Sequence, residues 1–378
     1  MTHKPNKSPH ILFLFSDTGG GHRSAAEAII ESLQLEYGDR LCTSMVDFFK
    51  EYAPQPLDRM PELYPRMVRS PRAWSLGFYL SNGQRRGRLI TATTWPYVRR
   101  RAKALVSQHP CDLVVSVHPL ANAPILHAFG KSRPPFITVV TDLVTTHALW
   151  FHRKVDLCVV PTELAYQRAL AQGMSPAKIR VIGIPVADRF CRQIETSTKD
   201  LRQRLGWPVN LPVVLLVGGS EGMGPLERTA RAIASVDLPA ALIIVAGRNE
   251  SLKNSLEGYD WQIPTLIYGF VHEMPNFMRA ADIMVTKAGP STISEAFIAG
   301  LPLILYSRVP GQEDGNVTYV TSEGAGVWAP DPDQLISSIR NWLLNPVERK
   351  SAADKSRLLA RPLAARQIAH LIAEELGM

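Results

Sequence analysis

The chain has 378 residues, which is more than one hydrophobic core usually holds, so two domains are expected. Apolar residues make up 46% and charged residues 20% of the chain, as is usual for a well-folded globular protein. The net charge of +8 favours anionic partners, namely nucleotides, nucleic acid or an anionic membrane surface.

Composition argues against several other classes. The four cysteines are scattered and none belongs to a CxxC pair, so neither a metal site nor a disulfide framework is expected. No stretch reaches about 18 apolar residues, the length that spans a bilayer. No apolar run of signal-peptide length precedes Ile11. We therefore predict neither a membrane span nor a secretory leader.

The first predicted strand and helix enclose a glycine turn. An apolar run at 11–15 predicts a buried strand, and an alanine-rich stretch at 24–35 predicts a helix. Three glycines at 19–21 and then His22 lie between them. Glycines let the backbone approach a ligand closely, and a helix start offers free N–H groups and a partial positive charge. We therefore expect His22 to belong to a functional site.

The first half continues to alternate between strands and helices. Further strands are predicted at 41–46, 113–117, 136–140, 157–160 and 179–182, and a helix at 162–173. Such alternation predicts a parallel sheet covered on both faces. Ligands of such sheets bind beyond the carboxyl ends of the strands. The segments 116–119 and 141–142 should therefore lie near the glycine turn.

The segment from Arg59 to Lys103 interrupts this alternation. It contains ten arginines, one lysine and a single acid, Glu62, with aromatic residues interleaved. Basic residues mixed with aromatic ones suit an anionic bilayer surface or nucleic acid. An alternative is a solvated helix pair whose aromatic residues pack on the domain. We favour membrane contact and expect no nucleic acid partner.

The second half opens like the first. A polar segment at 191–210 is predicted to link a first domain at 1–190 to a second at 211–360. The strand at 213–217 runs into a second glycine loop, 218–224, and strands follow at 241–246, 265–268, 283–286, 303–305 and 326–328. The tail from 333 is helical with a break near Pro362, and we expect its last part, 361–378, to cross back to the first domain.

The sharpest motif is Lys287-Ala288-Gly289-Pro290-Ser291-Thr292-Ile293-Ser294-Glu295. It follows a strand and begins a helix, where a diphosphate could bind to N–H groups and hydroxyls. Glu295 lies on the same face as Ser291 and Thr292, and its carboxylate could accept hydrogen bonds from ribose hydroxyls. The alternative is an N-terminal capping box of Ser291 or Thr292 with Glu295.

Two further loops follow strands of the second half. The loop 310–316 places Gln312, Glu313 and Asn316 between glycines, and such side chains can hydrogen bond to sugar hydroxyls. An ordinary surface turn is the alternative. The tripeptide Gly269-Phe270-Val271 could offer backbone groups to a base, although so short a motif has little specificity.

Several motifs, taken in order, resemble the monogalactosyldiacylglycerol synthase family. They are Ser16-Asp17-Thr18-Gly19-Gly20-Gly21-His22-Arg23, Ser116-Val117-His118-Pro119, Thr141-Asp142-Leu143, Trp150-Phe151-His152, Pro161-Thr162-Glu163, the motif at 287–292 and Gly311-Gln312-Glu313-Asp314-Gly315-Asn316. The resemblance covers about residues 11–330 and is weakest at 50–105. It implies an α/β GT-B fold, with two Rossmann-like domains whose parallel sheets face a central cleft.

The resemblance also implies roles for individual residues. His22 would be the catalytic base, with Asp17, His118 or Asp142 assisting it. Gly20, Gly21, His118 and Pro119 would bind the acceptor. The donor would be bound by Gly218, Gly219, Ser220, Phe270, Val271, Gly289, Pro290, Ser291, Thr292, Glu295, Gln312, Glu313 and Asn316. The family is inverting and requires no catalytic metal, so no cofactor is expected. His147 and His152 are expected to be loop residues.

The implied activity is transfer of a hexose, galactose before glucose, from a UDP-sugar to diacylglycerol. The product would be a β-linked glycolipid. Alternatives are a UDP-glucose-dependent diacylglycerol glucosyltransferase, transfer to another lipid-linked acceptor, a UDP-sugar epimerase, and a non-catalytic nucleotide-binding or membrane-docking protein. We expect a cytoplasmic enzyme, peripheral on the inner face of the cell membrane.

Overall fold

A computed structural model describes residues 8–18, 20–67, 70–192, 196–219, 222 and 224–378. Its contacts divide the chain into two compact units. The first comprises residues 1–188, 310–312 and 363–378, and the second comprises residues 189–309 and 313–362. The predicted linker at 191–210 contains a helix whose contacts belong to the second unit.

The first unit is built on six parallel strands within the described residues. Their order across the sheet is β2-β1-β3-β4-β5-β6. The strands are β1 (His10–Phe15), β2 (Cys42–Asp47), β3 (Leu113–Ser116), β4 (Phe136–Val139), β5 (Leu157–Val160) and β6 (Ile179–Val181). Strands β1, β3, β4 and β5 are almost wholly buried, which explains their continuous apolar runs.

Helices cover both faces of this sheet. They are α1 (Gly21–Tyr37), α2 (Phe48–Tyr52), α3 (Met60–Met67), α4 (Pro71–Ser81), α5 (Gln84–Gln108), α6 (Pro119–Phe129), α7 (Glu163–Ala171) and, from the end of the chain, α17 (Ala364–Glu375). Helix α17 packs beside α1, because Ile368 and Ile372 join Ile29 and Leu33 in one buried cluster.

The basic segment from Arg59 to Lys103 forms helices α3, α4 and most of α5. Among the described residues of α4 and α5, the leucines Leu76, Leu80 and Leu89 are more than half exposed, at 60%, 61% and 65%. Across the described residues we find no helix with both the length and the apolar character that a membrane crossing requires. This segment therefore presents apolar and cationic side chains together at the surface.

The second unit repeats the architecture. Its parallel strands, in the order β12-β11-β10-β7-β8-β9 among the described residues, are β7 (Val213–Val217), β8 (Ala241–Val245), β9 (Thr265–Tyr268), β10 (Ile283–Lys287), β11 (Leu303–Ser307) and β12 (Gly326–Trp328). Its helices are α9 (Thr198–Leu205), α10 (Leu226–Ala234), α11 (Glu250–Glu257), α12 (Met274–Ala280), α13 (Pro290–Ala299), α14 (Asp314–Ser322), α15 (Pro332–Leu344) and α16 (Pro346–Leu359). A short helix, α8 (Asp188–Cys191), lies at the chain boundary between the units.

The ends of the strands predicted from sequence differ by no more than two residues from those observed. The predicted helical tail has one more break than expected, because Pro346 begins a new helix at a position where its missing N–H costs nothing. Helix α9, in the segment predicted as a linker, is anchored by Arg202, which donates to Asp282 over 2.6 Å. Trp207 packs edge-on against Phe277 of α12.

The packing of α17 against α1 can be tested by substitution of a buried residue. We expect Ile372→Ala to lower the free energy of unfolding of the first unit by about 2–4 kcal/mol, because it leaves a cavity in a fully buried cluster. The matched control is Leu35→Ala on α1, where the side chain is 51% exposed and the change should be small. Urea denaturation measures both, and equal effects of the two substitutions would contradict the packing described.

Candidate functional site

Three loops of the first unit meet at one edge of its sheet. The glycine turn follows β1, Val117 and His118 follow β3, and Thr141 and Asp142 lie in the loop after β4. These strands are neighbours in the sheet and all run in the same direction, so their carboxyl ends lie together. The structure thus brings together the segments that the sequence predicted to converge.

His22 is held by its Nδ1 atom. Nδ1 lies 2.8 Å from the carbonyl oxygen of Val117 and 2.9 Å from the hydroxyl oxygen of Thr141. A carbonyl oxygen can only accept, so Nδ1 must carry the proton and donate it. The neutral ring therefore has its lone pair on Nε2, for which the described residues provide no hydrogen-bond partner. This is the tautomer that a general base requires.

Burial lowers the pKa of His22 to about 4, and the hydrogen bond to Val117 opposes that change. Its ring lies among other rings, with centroids 4.5 Å from His118 and 6.0 Å from Trp150. At neutral pH the imidazole is therefore uncharged and able to accept a proton. The partners of Nδ1 are a carbonyl and a hydroxyl, and not the carboxylate that we expected to assist.

His118 has the opposite arrangement. Its Nδ1 accepts from the backbone N–H of Leu120 and so caps the start of α6, while its Nε2 lies 3.0 Å from the Thr18 hydroxyl. With Nδ1 accepting, Nε2 carries the proton. Burial, and then the neighbouring His22, keep the pKa of His118 well below its usual range. His118 is thus a neutral capping residue beside His22, followed by Pro119 at the first helical position.

The two predicted assisting acids have other partners. Asp17 forms a two-pronged ion pair with Arg23, with both distances 2.7 Å, and this pair is partly exposed. Asp142 is 7% exposed and accepts from the indole N–H of Trp150 over 2.6 Å. Their predicted role in catalysis stays a prediction, and the recorded contacts give them a part in holding the loops around His22.

The glycines of the turn allow the backbone conformation in which α1 begins. Gly20 is the residue before α1 and has φ 76°, a left-handed conformation that favours glycine. Gly21 is the first residue of the helix, which places His22 in its first turn. Gly19 lies outside the described residues.

A largely apolar cavity of about 580 Å3 opens at His22 in the first unit. His22, His118 and Asp142 are among its polar lining residues, together with Thr18, Ser70, Ser81, His147 and Gln312. Its apolar walls come mainly from α3, α4 and α5, and include Met60, Tyr64, Met67, Trp74, Phe78 and Ile90. The cavity could take an apolar ligand that presents one polar group to His22. Most of these wall residues belong to the basic segment from Arg59 to Lys103, for which the sequence predicted membrane contact and not a cavity.

In the second unit, the predicted diphosphate site is a helix start without a side-chain cap. Gly289 is the residue before α13, Pro290 is its first residue, and no side chain caps it. The alternative of a capping box is therefore wrong, because Ser291 and Thr292 lie inside the helix. Their N–H groups are in the first turn and have no intrahelical acceptor, so they can bind an anion.

Glu295 is half-buried one turn further along α13. Burial raises the pKa of its carboxyl group to about 7, and Arg189 opposes that change. The charged form of a carboxyl group with a raised pKa is stabilised when hydroxyl groups donate hydrogen bonds to it. It lies four residues after Ser291 and hence on the same helix face, as the sequence predicted.

The second glycine loop follows β7. A side chain at Gly218 would place its Cβ 2.6 Å from Leu226, and Gly219 has φ 77°. These two positions therefore require glycine for packing and for backbone conformation. Ser220, predicted to bind the donor, lies outside the described residues.

Phe270 and Val271 follow β9, which is separated from β10 by β7 and β8. At about 4.8 Å between strands, this is roughly 14 Å from the start of α13. Phe270 is 42% exposed and lies under the guanidinium group of Arg248 at 4.4 Å. Any contact it makes with a ligand would be with a part remote from the α13 start.

The loop at 310–316 is not the plain surface turn considered as an alternative. Glu313 is 4% exposed and Asn316 is 2% exposed. Asn316 donates to the carbonyl oxygen of Ala288 over 2.9 Å and so braces the turn before α13. Gln312 groups with the first unit and lines its cavity.

Sequence analysis missed Lys287 and Thr141 as members of these sites. Both stood in the motifs examined, Lys287 at the end of a strand and Thr141 directly before Asp142. Their spacing carried no signal of contact, because partners such as Glu313 and His22 are distant in sequence. No group of three or more His, Cys, Asp or Glu that could hold a metal ion is found among the described residues.

Solved structures share this fold at low identity. MurG of Acinetobacter baumannii is 16% identical, with a TM-score of 0.64 over 97% of this chain and 99% of that one. The calicheamicin glycosyltransferase CalG4 is also 16% identical, with a TM-score of 0.64 over 98% and 99%. A UDP-N-acetylglucosamine 2-epimerase of Listeria monocytogenes reaches 0.64 at 15% identity. These likenesses show an α/β GT-B fold and do not by themselves separate transferase from epimerase.

Sequence comparison makes that separation. The model of monogalactosyldiacylglycerol (MGDG) synthase matches residues 22–186, and that of the glycosyltransferase family 28 C-terminal domain matches residues 213–370. The chain is 39% identical to the probable monogalactosyldiacylglycerol synthase 2 of Oryza sativa subsp. japonica, over 90% of this chain and 74% of the relative. It is 37% identical to monogalactosyldiacylglycerol synthase 3 of Arabidopsis thaliana, over 94% and 78%. The chain belongs to the monogalactosyldiacylglycerol synthase family and is a UDP-sugar-dependent glycosyltransferase.

One expectation is overturned by the same comparison. We predicted a cytoplasmic enzyme on the inner face of the cell membrane. The rice and Arabidopsis relatives, and that of Spinacia oleracea at 37% identity, are all named chloroplastic. The prediction was wrong because it relied on the lack of a leader-like or membrane-spanning stretch and on a basic, aromatic surface, and none of these features identifies the membrane that the protein meets.

The buried histidines predict how stability depends on pH. His147 caps a short helix by accepting from Leu149, and burial followed by the charge of Arg168 lowers its pKa to about 4. Between pH 6.5 and 4 the unfolded chain therefore binds a proton that the folded chain does not. The contribution of the neutral, buried His147 to the free energy of unfolding is fully present above pH 6.5 and is lost as the pH falls toward 4.

We expect His147→Asn to keep a capping acceptor while removing this titration. The fall in unfolding free energy between pH 6.5 and 4 should become shallower, by at most about 1.4 kcal/mol per pH unit. Urea denaturation at a series of pH values measures the slope. An unchanged slope would contradict a neutral, buried His147.

Proposed function

We propose that the protein transfers galactose from UDP-galactose to the free hydroxyl of diacylglycerol, forming β-linked monogalactosyldiacylglycerol. The observation that carries this proposal is that His22, whose Nε2 has no hydrogen-bond partner among the described residues, lines a largely apolar cavity. Acyl chains would occupy the apolar part, so that the glycerol hydroxyl meets the imidazole. The family of the chain supports the choice of acceptor and of sugar.

In the transfer step the acceptor oxygen attacks the anomeric carbon from the face opposite to UDP. His22 takes the hydroxyl proton on Nε2, the new carbon–oxygen bond forms, and the bond to UDP breaks with its electron pair. Because the pKa of His22 is about 4, its neutral form is fully available at pH 7. It is a weak base, and proton transfer becomes favourable only as the attacking oxygen acquires positive charge.

The cation formed on His22 is stabilised by the groups already bound to Nδ1. Both the Val117 carbonyl and the Thr141 hydroxyl oxygen can accept from the charged ring. They also keep the ring from turning, so that Nε2 faces the cavity throughout the reaction. Asp142, through Trp150, supports the wall against which the ring packs.

For the donor we propose a site on the second unit. The diphosphate would bind at the start of α13, where Ser291 and Thr292 offer N–H groups and hydroxyls. Glu295 would accept hydrogen bonds from the ribose, and the glycines after β7 would let the backbone approach the ligand. The positive end of the α13 dipole would stabilise charge on the departing UDP. No metal is required in this proposal.

We also infer that the exposed face of α4 and α5 docks on a bilayer. Leu76, Leu80 and Leu89 are apolar and exposed, and the surrounding helices carry arginines that suit anionic lipid headgroups. Helices α3 to α5 also form the cavity walls, so a lipid leaving the bilayer would have a short apolar path to His22.

The transfer step is tested with labelled UDP-galactose, labelled UDP-glucose and diacylglycerol in anionic vesicles. We expect labelled glycolipid from UDP-galactose, and a rate lowered about 10²- to 10⁴-fold by His22→Ala, with UDP binding unchanged. His370→Ala, at an exposed histidine of α17, should leave the rate unaltered. If only UDP-glucose gave labelled product, the transferred sugar would be glucose and not galactose. If the His22→Ala variant transferred sugar at the rate of the parent, His22 would not be the base.

Docking is tested by vesicle sedimentation. Replacing both Leu76 and Leu80 by Glu should weaken binding to phosphatidylglycerol-containing vesicles by at least about 10-fold, because these exposed leucines would supply much of the apolar contact with the bilayer. The control is Leu358→Glu in the second unit, where the side chain is 71% exposed. Equal loss of binding in the control and the double variant would show that the face of α4 is not the docking surface.

A further inference from the structure

The second unit contains a buried ion pair beside its two glycine turns. The ammonium group of Lys287 lies 2.8 Å from Oε1 of Glu313, and the two side chains are 15% and 6% exposed. The other carboxylate oxygen of Glu313 accepts from the backbone N–H of Val309 over 2.7 Å.

The backbone directs Lys287 toward the proposed diphosphate site. Lys287 is the last residue of β10, and the register with β11 shifts between Thr286 and Lys287. Such an irregularity turns a side chain away from its regular direction and is common beside functional sites. The Lys287 ammonium group lies 2.9 Å from where a Cβ at Gly289 would be, and its Cε atom 3.5 Å from one at Gly219.

These distances place one ammonium group between the start of α13 and the glycine loop after β7. A side chain at Gly289 would crowd the ammonium group, and one at Gly219 would be in van der Waals contact with Cε of Lys287. The positive charge is therefore next to the N–H groups of Ser291 and Thr292, which are themselves suited to an anion. The counter-charge of Lys287 in the structure is the carboxylate of Glu313.

Burying such a pair gives little stability. The cost of removing two charges from water is of the same order as their attraction, so a buried ion pair often contributes nothing net. A diphosphate carries more charge than a carboxylate and would also satisfy the free N–H groups of α13. It is thus a stronger partner for Lys287 than Glu313 is.

We propose that Lys287 is a movable cation of the donor site, held by Glu313 until the diphosphate of a nucleoside-diphosphate sugar takes it over. This inference rests on the proposed donor site and adds an exchange of partners to it. Lys287 then donates hydrogen bonds to the phosphate oxygen that receives the electron pair when the bond to the sugar breaks. Glu313 is released to face the sugar.

Tyr306 offers the released carboxylate a new partner. Its side chain is 3% exposed, and its hydroxyl is buried with no hydrogen-bond partner among the described residues. Burial, and then the charge of Glu313, raise the pKa of Tyr306, so the hydroxyl is a donor within electrostatic range of that carboxylate. A buried donor without a partner is costly, and the exchange would satisfy it.

Calorimetric titration of the full-length chain with UDP, and separately with uridine, tests the exchange. The variants are Glu313→Gln, which frees Lys287, and the double variant Lys287→Met with Glu313→Gln, which removes both charges and leaves no unpaired carboxylate. The control is Glu257→Gln, which breaks the more exposed Lys253–Glu257 pair of the same unit. Thermal unfolding of each variant verifies that it is folded.

We expect Glu313→Gln to bind UDP on the order of 5- to 10-fold more tightly than the parent, because the competing carboxylate is gone. The double variant should bind UDP at least about 10-fold more weakly than Glu313→Gln. Uridine, which has no phosphate, should bind equally to all of them, and Glu257→Gln should behave as the parent.

Two results would overturn the exchange. One is UDP binding that is unchanged or weakened by Glu313→Gln, which would make Glu313 a fixed structural partner. The other is an equal loss of uridine and UDP binding in the double variant, which would mean that the turn itself is damaged. Neither result depends on sugar transfer, so failure of the proposed reaction with diacylglycerol would be seen separately, as absent glycolipid from a parent protein that still binds UDP.

Discussion

The hydrogen bond from His22 Nδ1 to the Val117 carbonyl is the constraint on which the catalytic account depends. A carbonyl oxygen accepts and cannot donate, so this one contact decides which ring nitrogen carries the proton. Burial keeps the imidazole neutral at pH 7, and the ring lines the apolar cavity while its Nε2 has no hydrogen-bond partner among the described residues. The strand order places Val117 there, because β3 lies beside β1 and ends at the same edge of the sheet.

The two units divide the chemistry between them. The first offers an uncharged base and apolar walls, which suit a lipid hydroxyl. The second offers the start of α13, the carboxyl group of Glu295, whose pKa is raised by burial, and the ammonium group of Lys287. These three groups suit a nucleoside diphosphate. Each unit has a turn with glycine between a parallel strand and a helix. In the first unit this turn joins β1 to α1 and is followed by His22, and in the second it joins β10 to α13 and is followed by Ser291. The shared fold therefore does not determine which ligand is bound.

The strands and both glycine turns could be predicted because apolar runs and glycines are local signals. His22 could be selected for the same reason, as the histidine that follows a glycine turn. The role of His118 as a helix cap, the Thr141 contact and the burial of Glu313 could not, because each depends on partners far away in sequence. Charge and aromatic content indicated a surface for anionic lipid in residues 59–103, and they did not indicate that helices α3 to α5 would form a cavity wall. They also misled us on location, since surface chemistry does not distinguish one membrane from another.

The central claim is that His22 presents an unprotonated Nε2 to the acceptor. Nitrogen-15 NMR of the histidine rings, with the His22 signals assigned by comparison with His22→Ala, measures this directly. At pH 7 we expect a neutral ring with the proton on Nδ1 and a lone pair on Nε2. A ring protonated on Nε2, or on both nitrogens, at that pH would contradict the account.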